Sequence, residues 1–328
     1  MTGEDAGAVL PLGDPGTPML YSVVVPVYKN AASIPDVLKA LEWLQDNLSG
    51  DVEAVFVVDG SPDESAAILR RLLPDAPFSA QLLCHSRNFG SFAAIRTGFL
   101  AARGQFVAAM AADLQEPISL IQEFFAKLET GNWDVAVGTR VSRDDPTVSK
   151  VFSGAYWGLY RRFVQPDMPL GGVDVFACTR QVAEKFGHLG ESHSSLIGLL
   201  FWLGYRRVDV PYGRVQREHG KSAWSFKKKF SYLLDSVFSF TSLPISIILT
   251  VGLVGMVVSL LAALVVLIAW LAGSITVPGY TALMFVLLLS TGSLLFALGI
   301  VGTYVWRAYE NSKNRPSSVV MDQMDFGR

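Results

Sequence analysis

Two long stretches near the C-terminal end of the chain contain no charged residue. They run from Ile245 to Ala272 and from Tyr280 to Trp306. Each exceeds the roughly 20 residues that a helix needs to cross a hydrocarbon core of about 30 Å. The turn between them is also uncharged and contains Pro278 and Gly279. This pattern predicts two transmembrane helices, at about 245–272 and 280–306, that form a hairpin within residues 243–308.

Basic residues flank these stretches on their outer sides only. They are Lys221, Lys227, Lys228 and Lys229 before the first stretch and Arg307, Lys313 and Arg315 after the second. Because Lys and Arg favour the cytoplasmic side of a membrane, we expect both flanks to face the cytoplasm, including a tail at 309–328. The predicted localisation is the inner (plasma) membrane, with two spans and a cytoplasmic N-terminal part.

The segment at 217–242 joins a basic loop to a helical pattern with one apolar face. The apolar residues of this face are Phe226, Phe230, Leu233, Leu234, Val237 and Phe238. A helix of this kind can lie in the plane of the lipid headgroups. The alternative is an ordinary packing helix whose basic end is solvated.

Residues 21–216 alternate short β-rich stretches with helical patterns. The predicted strands are YSVVVPVY, VEAVFVVD, AQLLCHS, FVAAMAA, WDVAVGTR and VDVFACTR, and the predicted helices lie at about 33–48, 62–73, 90–103 and 117–130. Such alternation predicts an α/β domain with a mostly parallel sheet whose faces are covered. In these sheets, ligands bind beyond the carboxyl ends of the strands. Residues 1–20, which are rich in Gly and Pro, are predicted to be a flexible tail.

Several classes of protein are disfavoured by what the sequence lacks. No GxGxxG follows the first strand and no GxxxxGK[ST] occurs, so that neither a dinucleotide fingerprint nor a P-loop is present. The formal net charge of −2 gives no bulk attraction for nucleic acid. Cys84 and Cys178 are far apart in apolar stretches and are predicted to be reduced core residues.

Six motifs occur in an order that resembles the polyprenyl-phosphate glycosyltransferases. They are VVVPVYKN, VVDGSPDES, SRNFGSFAAIRTGF, AADLQEP, GGVDVF and REHGKSAW, followed by the two apolar stretches. The chain is thus similar to a family 2 glycosyltransferase of the GT-A fold, in the group of dolichyl-phosphate mannose synthase and the bacterial undecaprenyl-phosphate glucosyltransferases. The resemblance covers about residues 21–316.

Two positions depart from the pattern of that family. Val58 stands where the family usually has the first of two acidic residues, so that only Asp59 remains. Ala111 replaces the first Asp of the usual Asp-x-Asp motif, and Asp113 is the second. One carboxylate fewer near the diphosphate of the donor puts metal affinity in question.

The resemblance implies an inverting transferase that moves a sugar from a nucleotide-sugar donor to polyprenyl phosphate at the cytoplasmic face of the membrane. Its product would supply lipid-linked sugar for glycans of the cell envelope. The implied partners are the donor, the polyprenyl phosphate and the lipid bilayer. We also expect a homo-oligomer and a separate flippase, because two spans are too few to form an obvious sugar pore.

Asp113 and Gln115 are the residues to which the resemblance assigns a metal ion. The departing diphosphate gains negative charge, and Mg²⁺ or Mn²⁺ would neutralise that charge. Hard cations of this kind prefer oxygen ligands, which a carboxylate and an amide both offer. The alternative is that Asp113 caps the helix that begins near Pro117.

The other site residues follow from the same resemblance. Asp174 would act with Asp113 in catalysis, by orienting the acceptor or as its base. The nucleotide-sugar would be bound by Pro26, Tyr28, Asp59, Asn88, Arg217 and Ser222. The phosphate of the acceptor would be bound by Arg140, Lys150 and Lys221. Ordinary turn, packing and basic-surface roles remain open for Asp59, Tyr28 and the basic residues.

Two other functions remain open at this stage. The loss of acidic residues at Val58 and Ala111 would suit a non-catalytic membrane scaffold derived from such an enzyme. A transferase that acts on a polysaccharide is disfavoured, because the sequence has no Q-x-x-R-W motif.

Overall fold

The computed structural model describes residues 20–140, 175–189, 195–213, 279–313 and 315–327, together with isolated positions between these ranges. The strands are β1 (Tyr21–Val27), β2 (Val52–Val58), β3 (Ser79–His85), β4 (Phe106–Ala109), β5 (Val135–Arg140), β6 (Phe176–Thr179), β7 (Arg207–Tyr212) and β8 (Val320–Phe326). The helices are α1 (Ile34–Asn47), α2 (Ser65–Leu72), α3 (Ser91–Ala101), α4 (Ile118–Glu129), α5 (Arg180–His188), α6 (Leu196–Trp202) and α7 (Tyr280–Ser312). A short 3₁₀ turn, Leu73–Asp75, follows α2.

The eight strands form one sheet in the order β7-β5-β6-β4-β1-β2-β3-β8. Strands β1, β2, β3 and β4 pair in parallel, and β5 pairs in parallel with β7. Strand β6 is antiparallel to both β4 and β5, and β8 is antiparallel to β3. The predicted mostly parallel α/β sheet is therefore confirmed. All six predicted strands and all four predicted helices are present, with small differences at their ends.

The central strands are apolar because both faces of the sheet are covered. Every residue of β2 is buried, and in β1 only Pro26 is partly exposed. Buried side chains of α1 and α4 pack on one face, and those of α3, α5 and α6 pack on the other. In α4 the buried residues recur at helical spacing, at Leu120, Ile121, Phe124, Phe125 and Leu128. Because both faces are covered, the strands have apolar residues on both sides and form continuous valine-rich stretches. The strands were predicted from this pattern.

The end of the chain differs from the predicted tail at 309–328. Helix α7 continues to Ser312, and residues Val320–Phe326 form β8 on the edge of the sheet beside β3. Alternate side chains of β8 are exposed, and its sequence VMDQMDF contains two acidic residues. A mixed pattern of this kind gives little signal for a strand, because an edge strand buries only part of its surface.

The predicted transmembrane hairpin and membrane localisation are contradicted. Within the ranges that the structure describes, none of the helices combines the length and the apolar character needed to cross a membrane. The first stretch, 245–272, and the interfacial helix at 217–242 lie outside the described residues apart from isolated positions. The absence of charged residues was therefore not a sufficient criterion for a membrane-crossing helix.

Candidate active site

The carboxyl ends of the parallel strands bring most of the described site residues to one edge of the sheet. The ends of β1 and β2 lie side by side, with Val27 opposite Val58. Strand β4 pairs with β1 only as far as Ala109 opposite Val24. From β1 the chain continues to β2 and β3 on one side of β1, and it then crosses back to β4 on the other side of β1. The strand order therefore reverses between β1 and β4. Ligands of open α/β sheets bind at such a switch point.

Polar groups tie the turn after β1 to the turn after β2. The amide of Lys29 donates to Oγ of Ser61 over 2.8 Å, and the amide of Ala31 donates to Oδ2 of Asp63 over 3.1 Å. Lys29 has a φ of +58°, in the left-handed region that a non-glycine residue seldom adopts. Next to it, the Tyr28 side chain is exposed, and the Lys29 ammonium lies 5.4 Å from the centre of its ring.

Asp63 holds these two turns together. Its Oδ1 accepts from the hydroxyls of Ser61, over 2.6 Å, and Ser65, over 2.7 Å. Burial by itself would raise the pKa of this carboxyl, but the hydrogen bonds outweigh burial and lower the pKa below its ordinary value. The carboxylate therefore remains ionised at neutral pH and fixes the shape of the edge beside Tyr28.

Asp59, at the end of β2, is almost completely buried, with 2% of its surface exposed. Its Oδ1 is 2.8 Å from Nδ1 of His85 and accepts from the amide of Phe89 over 2.8 Å. Its Oδ2 accepts from the amide of Gly90, also over 2.8 Å. The side-chain amide of Asn88 donates to the carbonyl of Asp59 over 3.2 Å. Asp59 thus holds residues 88–90, which precede α3, against the end of β2.

The environment of Asp59 favours the ionised carboxylate. Burial raises its pKa, but the hydrogen bonds from His85 and from the amides of Phe89 and Gly90 lower the pKa by more than burial raises it. The pKa therefore lies below its ordinary value. Oδ1 already accepts two hydrogen bonds, whereas Oδ2 accepts one from these groups and retains a second lone pair. Recognition of a nucleobase by Asp59 stays a prediction.

His85 is a site residue that the sequence did not single out. It ends β3, and its ring is buried between Asp59 and Thr97, with Nε2 at 2.9 Å from Oγ1 of Thr97. Thr97 lies in turn 2.8 Å from the hydroxyl of Ser318, which precedes β8. The signal was a single polar residue at the end of an apolar strand. Its two side-chain partners come from other parts of the chain, so the sequence alone could not identify them.

Gly60 allows the chain to approach these residues closely. Its φ is +56°, and a Cβ built on it would lie 2.3 Å from the carbonyl carbon of Arg87 and 2.4 Å from the amide nitrogen of Asn88. No side chain fits in that space without moving backbone. The turn after β2 and the turn after β3 are thereby held in direct contact.

Asp113 and Gln115 lie in the turn between β4 and α4. Asp113 is half-buried, and its Oδ1 accepts from the amide of Gln115 over 3.4 Å. Leu114 between them has a φ of +50°. The N-cap residue of α4 is Pro117, whose side chain makes no capping hydrogen bond. Both roles of Asp113, as a metal ligand and as a cap of α4, stay predictions.

The donor set of this turn fits an ion that is shared with a substrate. Asp113 and Gln115 offer carboxylate and amide oxygens, the ligands that hard divalent cations prefer. Among the residues that the structure describes, no group of three His, Cys, Asp or Glu side chains could hold a metal. Mg²⁺ is commonly bound by one or two carboxylates together with phosphate oxygens and waters. Among the described residues, Asp113 and Gln115 are thus sufficient only if the substrate completes the coordination.

Of the remaining predicted site residues, the structure describes Pro26 and Arg140. Pro26 lies in β1 near its end, and Arg140 ends β5 with its Nε 3.5 Å from the hydroxyl of Tyr212. The predicted residues outside the described part of the chain are Lys150, Asp174, Arg217, Lys221 and Ser222. Phe176, close to Asp174 in sequence, pairs with both Ala109 and Val137.

Comparison with known proteins decides the family. The model of the family described as "Glycosyl transferase family 2" matches residues 22–186, about half of the chain. The chain belongs to glycosyl transferase family 2. The resemblance drawn from the motifs is therefore confirmed, and this family 2 protein is a glycosyltransferase.

Relatives of similar length support this assignment. The family 2 protein is 31% identical to "Uncharacterized glycosyltransferase YkcC" of Bacillus subtilis (strain 168), over 94% of each chain. It is 29% identical to "Bactoprenol glucosyl transferase" of Shigella phage SfV, over 93% of this chain and 99% of that one. A solved structure, the mannosyltransferase PcManGT from Pyrobaculum calidifontis in complex with GDP-Man and Mn²⁺, aligns with a TM-score of 0.45 and 18% identity over 91% of this chain and 88% of that one.

Proposed function

We propose that this family 2 glycosyltransferase moves a sugar from a nucleotide-sugar to polyprenyl phosphate, with inversion at the anomeric carbon. The observation that carries the proposal is the switch point between β1 and β4, with Pro26 and Tyr28 on one side and Asp113 and Gln115 on the other. The lipid acceptor is supported by the relatives that are named bactoprenol glucosyl transferase.

The donor would lie across this switch point. Tyr28 presents an exposed ring, on which a nucleobase can stack, beside Pro26. Asp59 would receive a hydrogen bond from the base through its remaining lone pair, and Asn88 lies next to it. Arg217 and Ser222 are proposed to bind the diphosphate, with Arg217 as a bidentate donor to phosphate oxygens.

Asp113 and Gln115 would hold Mg²⁺ or Mn²⁺ together with the diphosphate of the donor. When bound, the ion stabilises the negative charge that the diphosphate gains as it leaves. The Asp-x-Asp motif keeps only one of its two carboxylates, because Ala111 occupies the other position. We therefore expect metal binding to depend strongly on the presence of the nucleotide.

The acceptor phosphate supplies the nucleophile. Its second pKa is near 6, so that it is largely dianionic at neutral pH and needs little deprotonation. An oxygen of this phosphate forms a bond to the anomeric carbon while the bond from that carbon to the diphosphate breaks, which releases a nucleoside diphosphate. Asp174 would orient the acceptor, and Arg140, Lys150 and Lys221 would bind its phosphate. The homo-oligomer and the separate flippase stay predictions.

A transfer assay with purified protein tests the proposal. UDP-, GDP- and dTDP-linked radiolabelled sugars would be offered with undecaprenyl phosphate, in the presence of Mg²⁺, Mn²⁺ or EDTA. We expect one donor to give a labelled lipid product that EDTA abolishes. A labelled glycan with no lipid product would support the polysaccharide acceptor, and the absence of transfer from every donor would refute the proposal.

A further inference from the structure

Four polar side chains form a connected series that runs from the donor site to the C-terminal segment. Asp59 Oδ1 is 2.8 Å from His85 Nδ1, His85 Nε2 is 2.9 Å from Thr97 Oγ1, and Thr97 Oγ1 is 2.8 Å from Ser318 Oγ. Asp59, His85 and Thr97 expose 2%, 2% and 5% of their surfaces. Buried polar groups of this kind depend on one another for hydrogen bonds.

The proton inventory gives Ser318 a defined part in this series. Thr97 has one hydroxyl proton, and besides Ser318 its oxygen lies 2.9 Å from Nε2 of His85 and 3.0 Å from the carbonyl of Ala93. If the imidazole is neutral with its proton on Nδ1, facing Asp59, Thr97 must donate to His85. If both ring nitrogens carry protons, Thr97 accepts from His85 and can donate to Ala93 or to Ser318. With the neutral imidazole Ser318 is therefore the donor to Thr97, and with the charged imidazole either hydroxyl can donate.

The same segment supports the residues that Asp59 holds. The amide of Ser86 donates to the carbonyl of Val319 over 3.0 Å, directly before the turn at 87–90. Phe89 and Gly90 donate their amides to Asp59 at the other end of that turn. The turn after β3 is therefore held between the carboxylate of the donor site and the residues that precede β8.

Strand β8 is also attached by backbone pairing and by two ion pairs that involve none of the four side chains of this series. It pairs with β3 from Ala80 opposite Phe326 to His85 opposite Val320. Arg70 Nη2 lies 2.7 Å from Oδ2 of Asp322, and Arg103 Nη2 lies 2.6 Å from Oδ1 of Asp325. These ion pairs are partly exposed, so each stabilises the attachment only weakly. They offer a way to perturb β8 without touching Ser318.

We infer that His85 and Ser318 are positioning residues for the donor site, and that the C-terminal segment completes this site by fixing Asp59 and the turn at 87–90. The inference rests on the proposed function, because it assigns nucleotide-sugar binding to the edge of the sheet at Asp59. Neither residue contacts the reacting atoms. Their contribution is to hold Asp59 and its turn in one arrangement, which lowers the cost of ordering them when the donor binds.

Ser318→Ala tests this inference against Asp322→Asn, a matched change in β8 that leaves the series intact. Loss of one hydrogen bond to the series should raise KM for the donor by about three- to tenfold, while kcat changes by less than about twofold. Ser318→Thr should restore the KM of the natural protein, and Asp322→Asn should leave it unchanged. An unchanged KM in Ser318→Ala, or an equal rise in both variants, would overturn the inference, since a purely structural role would affect both.

Hydrogen exchange provides a second measurement that needs no activity. The amides of Phe89 and Gly90 should exchange about three- to tenfold faster in Ser318→Ala than in the natural protein, whereas Asp322→Asn should not change them. Equal protection in all three proteins would refute the positioning role. If the natural protein transfers no sugar, the proposed function fails, while this measurement still decides whether Ser318 holds the turn.

Discussion

Gly60 and Arg87 are in such close contact that a Cβ on Gly60 would lie 2.3 Å from the carbonyl carbon of Arg87. We expect Gly60→Ala to force apart the turns after β2 and β3, and so to displace Asp59 and Asn88. The variant should lose about 2 kcal/mol or more in the free energy of unfolding, and its KM for the donor should rise at least tenfold. Urea denaturation and donor titration measure these effects.

Gly131→Ala is the control for that prediction. Gly131 has a φ of +71°, so that alanine there has the same unfavourable backbone conformation, but its Cβ would meet nothing within 4 Å. A loss of about 1 kcal/mol with unchanged KM is expected, because only the backbone cost remains. If both variants bind the donor equally well, the close contact at Gly60 does not shape the site.

Asp113→Asn removes the carboxylate of the proposed metal pair, Asp113 and Gln115. We expect sugar transfer to fall by about 100-fold or more, the loss typical of a positioned group that stabilises charge in the transition state. The requirement for Mn²⁺ should also rise, because an amide oxygen is a weaker ligand than a carboxylate. Initial rates at several Mn²⁺ concentrations measure both effects. Asp36→Asn, on the exposed side of α1, is the control, and near-normal turnover of Asp113→Asn would refute the role of Asp113.

Acid should destabilise the protein partly through Asp59. The pKa of this carboxyl is lower in the folded chain than its ordinary value, because hydrogen bonds from His85 and two amides outweigh burial. The folded state thus binds fewer protons than the unfolded state. The resulting stability is complete above the unfolded pKa of about 4 and is lost as the pH falls through the lower, folded pKa.

Denaturation by urea at a series of pH values between about 6 and 3 measures this effect. The free energy of unfolding should fall less steeply with acidification in Asp59→Asn than in the natural protein. Some dependence will remain in the variant, since the pKa of Asp63 is also lowered. Parallel curves for the two proteins would show that Asp59 does not titrate differently on folding.

The sequence was sufficient for the sheet and much of its active edge, because these depend on local patterns. Strands such as VEAVFVV are buried on both faces and therefore read as continuous apolar stretches. Asp59 and Asp113 directly follow such stretches, and parallel pairing then brings them to one edge. The order of the motifs was sufficient to indicate the family, since each motif has a fixed place along the chain.

The remaining features depend on contacts between distant parts of the chain. His85 obtains its role from Asp59, Thr97 and Ser318, and its separation from Ser318 cannot be inferred from spacing. Strand β8 pairs with β3 from more than 230 positions away and has little apolar periodicity of its own. The transmembrane prediction relied on the absence of charge, and this local pattern was not sufficient to predict a membrane-crossing helix.

Glu53 offers a test that separates stability from the active site. It is 1% exposed at the start of β2, and its carboxylate accepts from Ser22 Oγ over 2.6 Å, Gln81 Nε2 over 2.7 Å and the Arg103 amide over 2.8 Å. Glu53→Gln replaces one acceptor oxygen by a donor and leaves a buried group unsatisfied. The free energy of unfolding should fall by about 1–3 kcal/mol. Since Asp59 lies six residues further along the strand, about 20 Å away, KM for the donor should not change.

Glu184→Gln is the matched control, because Glu184 forms a partly exposed ion pair with Arg180 at 2.8 Å within α5. Such a pair contributes only about 0.3–0.5 kcal/mol. Thermal or urea denaturation should therefore give Glu53→Gln a clearly lower free energy of unfolding than Glu184→Gln. Both variants should keep the donor KM of the natural protein. A raised KM in Glu53→Gln would contradict this prediction. It would mean that the amino-terminal edge of the sheet, where Glu53 lies, is coupled to the donor site at the opposite edge.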